Sequence, residues 1–223
     1  QALDLSSKYF GSLGGTKQRE FEPLEGYGKE KVTLRTKKTE QSHLVIGVPS
    51  FGSQDERHFA QKLLSIILGG NMSSRMFLNI REAKGMCYYI DSDVDSYLDA
   101  GSLSTRAGID QSRLDEAVKL IINEYDQVAL HGVLDEEVAR AKSYMKGSII
   151  LSLEDTEDLA HFFGKQQLLY PNVRSVDEYI GMIEAVSKEE IDQLAKDLLG
   201  HENLRLAVIG NTDNKAGLES LLV

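Results

Sequence analysis

Histidine, carboxylate and thiol spacings decide whether a chain can hold a metal ion or run nucleophilic chemistry. The five histidines are His43, His58, His131, His161 and His201, and no two of them lie four apart. That spacing matters because a helix sets residues i and i+4 on one face, where two imidazoles can grip a zinc ion while a Glu between them polarises a water. The nearest approach is His58-Phe59-Ala60-Gln61-Lys62, with Gln61 and Lys62 standing where a Glu and a second His would be needed. A protonated lysine does not ligate zinc and a glutamine is no general base, so His58 is expected to be a surface histidine at a helix start. Asp91, Asp93, Asp95 and Asp99 invite a calcium reading. An EF-hand loop, however, needs Gly at its sixth position and Glu at its twelfth, and those places hold Ser96 and Ser102. A solvated acidic strand face is the expectation, with Asp91, Asp93 and Asp95 beside Tyr89 and Tyr97, opposite Tyr88, Ile90 and Val94. Ser73, Ser74 and Cys87 have no histidine at a spacing that suggests a base, and Cys87 reads as a buried, inert thiol.

The stretch from Leu68 to Tyr89 carries more. It reads as a helix stopping at Gly69-Gly70, a short second helix, and a strand entered through Gly85. The order Gly69-Gly70, Ser74-Arg75-Met76-Phe77, Arg81-Glu82 and Gly85-Met86-Cys87-Tyr88 resembles the signature of the C-terminal, non-zinc-binding half of the M16 zinc metallopeptidases, the pitrilysin and mitochondrial processing peptidase type. The resemblance is specific over residues 68–89 and looser over the rest of the 223-residue chain. It implies that Arg81 and Tyr88, seven positions apart, reach a catalytic chamber. There they would bind substrate and stabilise the oxyanion of the tetrahedral intermediate in peptide hydrolysis. Zinc would then be held by a separate half bearing His-x-x-Glu-His, with no metal bound by this chain and no activity in the isolated half. On residue types alone, Tyr88 would pack in the sheet and Arg81 would pair with a surface carboxylate; the surrounding signature is what reverses that reading. Tyr89 is expected on the opposite strand face, making it a silent control.

Composition sets bounds. With 223 residues and 41% apolar content the chain can bury a full core. A net charge of −10 argues against nucleic acid or an anionic membrane as partner. A lone cysteine excludes an internal disulfide, and no apolar run reaches the length of a membrane span. A soluble protein of the cytoplasm or periplasm of a bacterial-type cell is the expectation.

The elements that must position Arg81 and Tyr88 follow from periodicity. An amphipathic helix opens the chain, with Leu5, Tyr9 and Leu13 on one side, and residues 15–30, with Pro23, Gly26 and Gly28, read as a loop. Strands are expected at 32–35 and 44–48, the second buried on both faces, and as an antiparallel pair at 88–97 and 102–109. Helices are expected at 55–68, from Leu114 to Val128, at 135–152 and at 156–170. The capping boxes Ser175-x-x-Glu178 and Ser187-x-x-Glu190 start two more, and residues 204–213, followed by a short helix at 218–221, resemble the strand and turn that close each half in that family. Strands, then helices, then one strand is α+β logic: a mostly antiparallel sheet with a helix layer on one face. Residues 1–223 are expected to form one domain, the second half of a longer peptidase. Its partners would be the zinc-binding N-terminal half or subunit and a peptide substrate, and the isolated half could self-associate through the face meant for its partner. The alternative is a non-catalytic structural subunit of the same fold.

Overall fold

A period of two in the buried positions settles which side of the sheet is covered. In β2 (Gln41–Ser50), Ser42, Leu44, Ile46 and Val48 are buried while His43 and Val45 stand in solvent. One face only is covered, which corrects the expectation of a strand buried on both sides. The computed structural model describes residues 1–14 and 30–223, so the loop expected at 15–30 lies, but for its last residue, outside the described residues.

Five strands form one sheet in the order β1-β5-β2-β4-β3, where β1 is Val32–Thr36, β3 Cys87–Ser96, β4 Gly101–Asp110 and β5 Arg205–Gly210. β1 runs parallel to β5 and every other pairing is antiparallel. The expected hairpin is β3–β4.

Helices α2 (His58–Gly69), α3 (Leu114–His131) and α7 (Lys188–Leu198) lie on the covered face. Leu63, Leu64 and Leu68 of α2, Ile121 and Tyr125 of α3, and Ile191 and Leu194 of α7 fill the core beneath them. Each such side chain taken fully out of water contributes roughly 1.5–3 kcal/mol. Helices α4 (Asp135–Ser152) and α6 (Val176–Ala185) pack over α2 from outside, and α5 (Thr156–Leu169) precedes α6. Both expected capping boxes are made: Ser175 Oγ accepts from Glu178 N at 3.2 Å, and Ser187 Oγ accepts from Glu190 N at 3.2 Å. Each Glu accepts in return from the Ser backbone N–H, at 2.7 and 2.6 Å.

The opening helix α1 (Ala2–Phe10) buries none of its residues, so Leu5 and Tyr9 are exposed together with Leu13 beyond its end. α8 (Lys215–Ser220) lies against β1. Among the described residues no helix is long and apolar enough to cross a membrane.

Candidate functional site

The segment between α2 and β3 is built in steps, each with a visible cause. α2 carries Gly69 in its last position, where the strand beside it comes too near for a side chain: a Cβ there would lie 2.6 Å from Ser92 N. The Asn71 carboxamide oxygen then accepts from Ser73 N at 2.8 Å and Ser73 Oγ at 2.7 Å, folding the chain into a turn. Arg75 turns inward to Glu137 with two hydrogen bonds of 2.6 and 2.7 Å, and also donates to the Gly132 carbonyl. The Glu137 carboxyl would be raised by its burial, but the Arg75 guanidinium and the Leu134 N–H outweigh that and hold it below its ordinary value. Met76 is fully buried and its sulfur accepts from Thr105 Oγ1 at 3.4 Å.

A six-residue π-helical turn, Phe77–Glu82, follows, with Ile80 as its buried anchor. Gly85 N donates to Arg81 O at 2.9 Å and Met86 N to Ile80 O at 3.1 Å. Gly85 itself has a φ of +54°, a left-handed conformation that a side chain would strain. This reversal brings β3 back alongside the turn that carries Arg81.

Arg81 is exposed, its guanidinium 4.9 Å from the Phe77 ring centroid. Tyr88 is 57% exposed. Among the described residues neither side chain makes a hydrogen bond or ion pair, so Tyr88 is not packed within the sheet and Arg81 has no carboxylate partner. Burial raises the Cys87 thiol, with the Arg81 charge opposing the shift. A thiol so held is inert.

The facing of Tyr88 departs from the expected alternation. Cys87 pairs with Ile109 and Tyr89 with Gly108, so Tyr88 is the extra residue of a β-bulge. The bulge resets the period of two: Ile90 and Val94 are buried while Tyr88 is not. Tyr89, 40% exposed, keeps the expected face with Asp91. It lies over Gly108 on the open sheet face, its ring stacked on His43 at 6.1 Å and its hydroxyl 3.1 Å from His43 Nδ1. Asp91 pairs with Arg106 on the same face, at 2.7 and 3.0 Å, and Asp93 and Asp95 are solvated as expected. Further along this face a groove of about 530 Å³ is lined by Val45, Gly47, Pro49, Ser104 and Arg205.

His58 is not a surface histidine. It is 8% exposed, and burial, aided by Lys62 and Lys165 against Asp55, lowers its pKa to about 4. Gln61 is committed to structure, donating to Phe51 O at 2.9 Å and accepting from Phe51 N at 3.1 Å. Among the described residues no three His, Cys, Asp or Glu side chains are grouped so as to hold a metal ion, and the donors on α2 do not fit zinc. His43, Gly108 and the Arg75–Glu137 pair were not singled out by sequence reasoning. The glycine inside an otherwise regular strand was the available signal, because it marks a close approach.

The sheet is thus half open, with helices on one face and the signature turn beside its β3 edge. Residues 1–145 match the family model described as the peptidase M16 inactive domain, and the chain belongs to the M16 zinc metalloprotease family as that C-terminal domain. A protein of Streptomyces coelicolor described as an uncharacterized zinc protease is 37% identical over 185 residues, 83% of this chain and 40% of that protein. A similarly described protein of Bacillus subtilis is 34% identical over 207 residues, 93% of this chain and 50% of that one. The chain thus spans about half the length of the curated relatives it matches. The crystal structure of a peptidase M16 inactive domain from Pseudomonas fluorescens superposes with a TM-score of 0.73 at 17% identity, over 81% of this chain and 43% of that one. A protease structure from Helicobacter pylori gives 0.75 at 16% identity, over 93% and 51%. At such identities these two structures attest the fold alone.

Proposed function

We infer that residues 1–223 act as one domain, the second half of a zinc-dependent metalloendopeptidase whose zinc is held by a separate His-x-x-Glu-His half. In this reading Arg81 and Tyr88 complete the chamber. The observation that supports it is that both side chains are exposed and, among the described residues, make no hydrogen bond or ion pair, Arg81 resting only over the Phe77 ring, at the end of a specifically built turn. A phenol O–H aimed at a developing oxyanion, and a permanently charged planar guanidinium at the substrate carbonyl side, supply stabilisation that grows as charge develops. Arg81 suits that place because its donors form a fixed fork.

The test is made in the full-length protein with a fluorogenic peptide, zinc content being measured alongside. Tyr88→Phe is expected to lower kcat by about 10²-fold with zinc and folding unchanged, the usual scale for one oxyanion donor. Arg81→Lys is expected to recover little of what Arg81→Ala loses. Wild-type kcat and kcat/KM in Tyr88→Phe would sink the reading and leave a non-catalytic subunit of peptidase fold.

A further inference from the structure

The bulge that exposes Tyr88 leaves that residue without a partner on β4, three residues after the left-handed Gly85 and on a strand at the sheet edge. An unpaired residue on an edge strand has little of its own to hold it. What secures this end of β3 on the open face is Tyr89. Its ring lies over Gly108, where a Cβ would come 2.9 Å from the ring carbon Cδ1, so only glycine admits it. Beyond Gly108 the ring reaches His43 on β2, the Cα partner of Gly108, and its hydroxyl meets Nδ1 at 3.1 Å. Three strands are tied in one row, Tyr89–Gly108–His43. An aromatic ring laid across a strand glycine restores the packing that the glycine lacks, and a cross-strand contact of this kind pins local register.

We propose that Tyr89 and His43 form a clamp that positions Tyr88: the ring stack and the hydroxyl–imidazole hydrogen bond fix the bulge, and the bulge aims the Tyr88 hydroxyl. Both are positioning residues, and their effect on turnover rests on the reading of Tyr88 given above. Loss of one hydrogen bond in such a support is expected to lower kcat about five- to tenfold while KM changes little, because aim is lost and substrate binding is not.

The experiment pairs turnover with a readout independent of chemistry. The full-length protein is labelled with 3-fluorotyrosine, and the Tyr88 ¹⁹F resonance is assigned by its disappearance in Tyr88→Phe. Tyr89→Phe and His43→Gln are expected to broaden or split that resonance and to lower kcat. His43→Asn, whose amide can stand where Nδ1 stands but which lacks the ring, is expected to recover part of both relative to His43→Gln, and no recovery would overturn the hydrogen bond's share in the clamp. An unchanged Tyr88 resonance in Tyr89→Phe overturns the clamp, whatever kcat does. So does a perturbed resonance with normal kcat, if Tyr88→Phe itself is impaired. A perturbed resonance with Tyr88→Phe also fully active upholds the clamp and instead removes the catalytic reading of Tyr88.

Discussion

Acidification should strain the fold at one place first, the buried imidazole of His58. The ring lies edge-on to Phe59, 5.3 Å between centroids, and its Nδ1 has no hydrogen-bond partner among the described residues. Its pKa falls to about 4 in the fold, against an ordinary 6.5. The unfolded chain therefore binds the proton first, and stability rises with pH between these values. The contribution is fully present above about pH 6.5 and is lost as pH falls towards 4. Linkage with those two values gives a loss of about 2.5 kcal/mol between pH 7.5 and 4.5. Carboxylates titrate in the same window, so the quantity to read is a difference. Urea unfolding of wild type and His58→Leu, which cannot titrate, is followed at four pH values across the interval. The stability gap between them should shift by about 2.5 kcal/mol in favour of the leucine variant as pH falls. Parallel curves would refute the reasoning, since a histidine that ionises equally in both states makes no such difference.

Two further perturbations probe how the signature turn is held. Arg75→Met leaves Glu137 as a buried, uncompensated carboxylate, so a loss of about 3–5 kcal/mol is expected by urea unfolding, with Arg75→Met/Glu137→Leu regaining much of it. A single variant losing under about 1 kcal/mol would show the pair to be dispensable. Gly69→Ala in an ordinary helix would stabilise by up to about 1 kcal/mol. Here the new methyl meets Ser92 N at 2.6 Å, so a loss of about 1–3 kcal/mol is expected instead, and the sign of the change decides.

Local rules reached far into this fold. α4 spans Asp135–Ser152 as expected, and the two boxed helix starts hold, because periodicity and capping are decided within a few residues. The start of α2 was misplaced for an equally local reason. Asp55 does not begin the helix: its carboxylate accepts from Arg57 N at 2.8 Å and pairs with the Arg57 side chain, which lies 3.4 Å from the Phe51 ring centroid. Helix geometry begins only at His58. In β2 the run Leu44-Val45-Ile46-Gly47-Val48 suggested burial on both faces, yet the open face itself carries apolar side chains, Val45 and Ile209 among them. Composition cannot distinguish a covered apolar face from an open one. The parallel pairing of β1 with β5 joins residues about as far apart as the chain allows, and no local signal encodes it.

The candidate residues were chosen by type and spacing, and the facing of Tyr88 was misread. A signature preserves Arg81 and Tyr88 as residues at a spacing, while strand register decides what each side chain sees. Strict alternation sent Tyr89 to the far side and made it a silent control. Tyr89 does share the face of Asp91, as alternation requires, but the inserted residue at the bulge takes Tyr88 out of phase with Ile90, and Gly108 on another strand leaves the space that Tyr89 fills. His58 was misread the same way. From the sequence it stands at an exposed helix start, but the structure closes Phe162 and Tyr179 from later helices around the cavity it lines. In both places a feature of one element was set by a partner more than fifteen residues away. Control variants for this chain must therefore be drawn from the register, and on that ground a tyrosine bonded to His43 beside the bulge cannot serve as one.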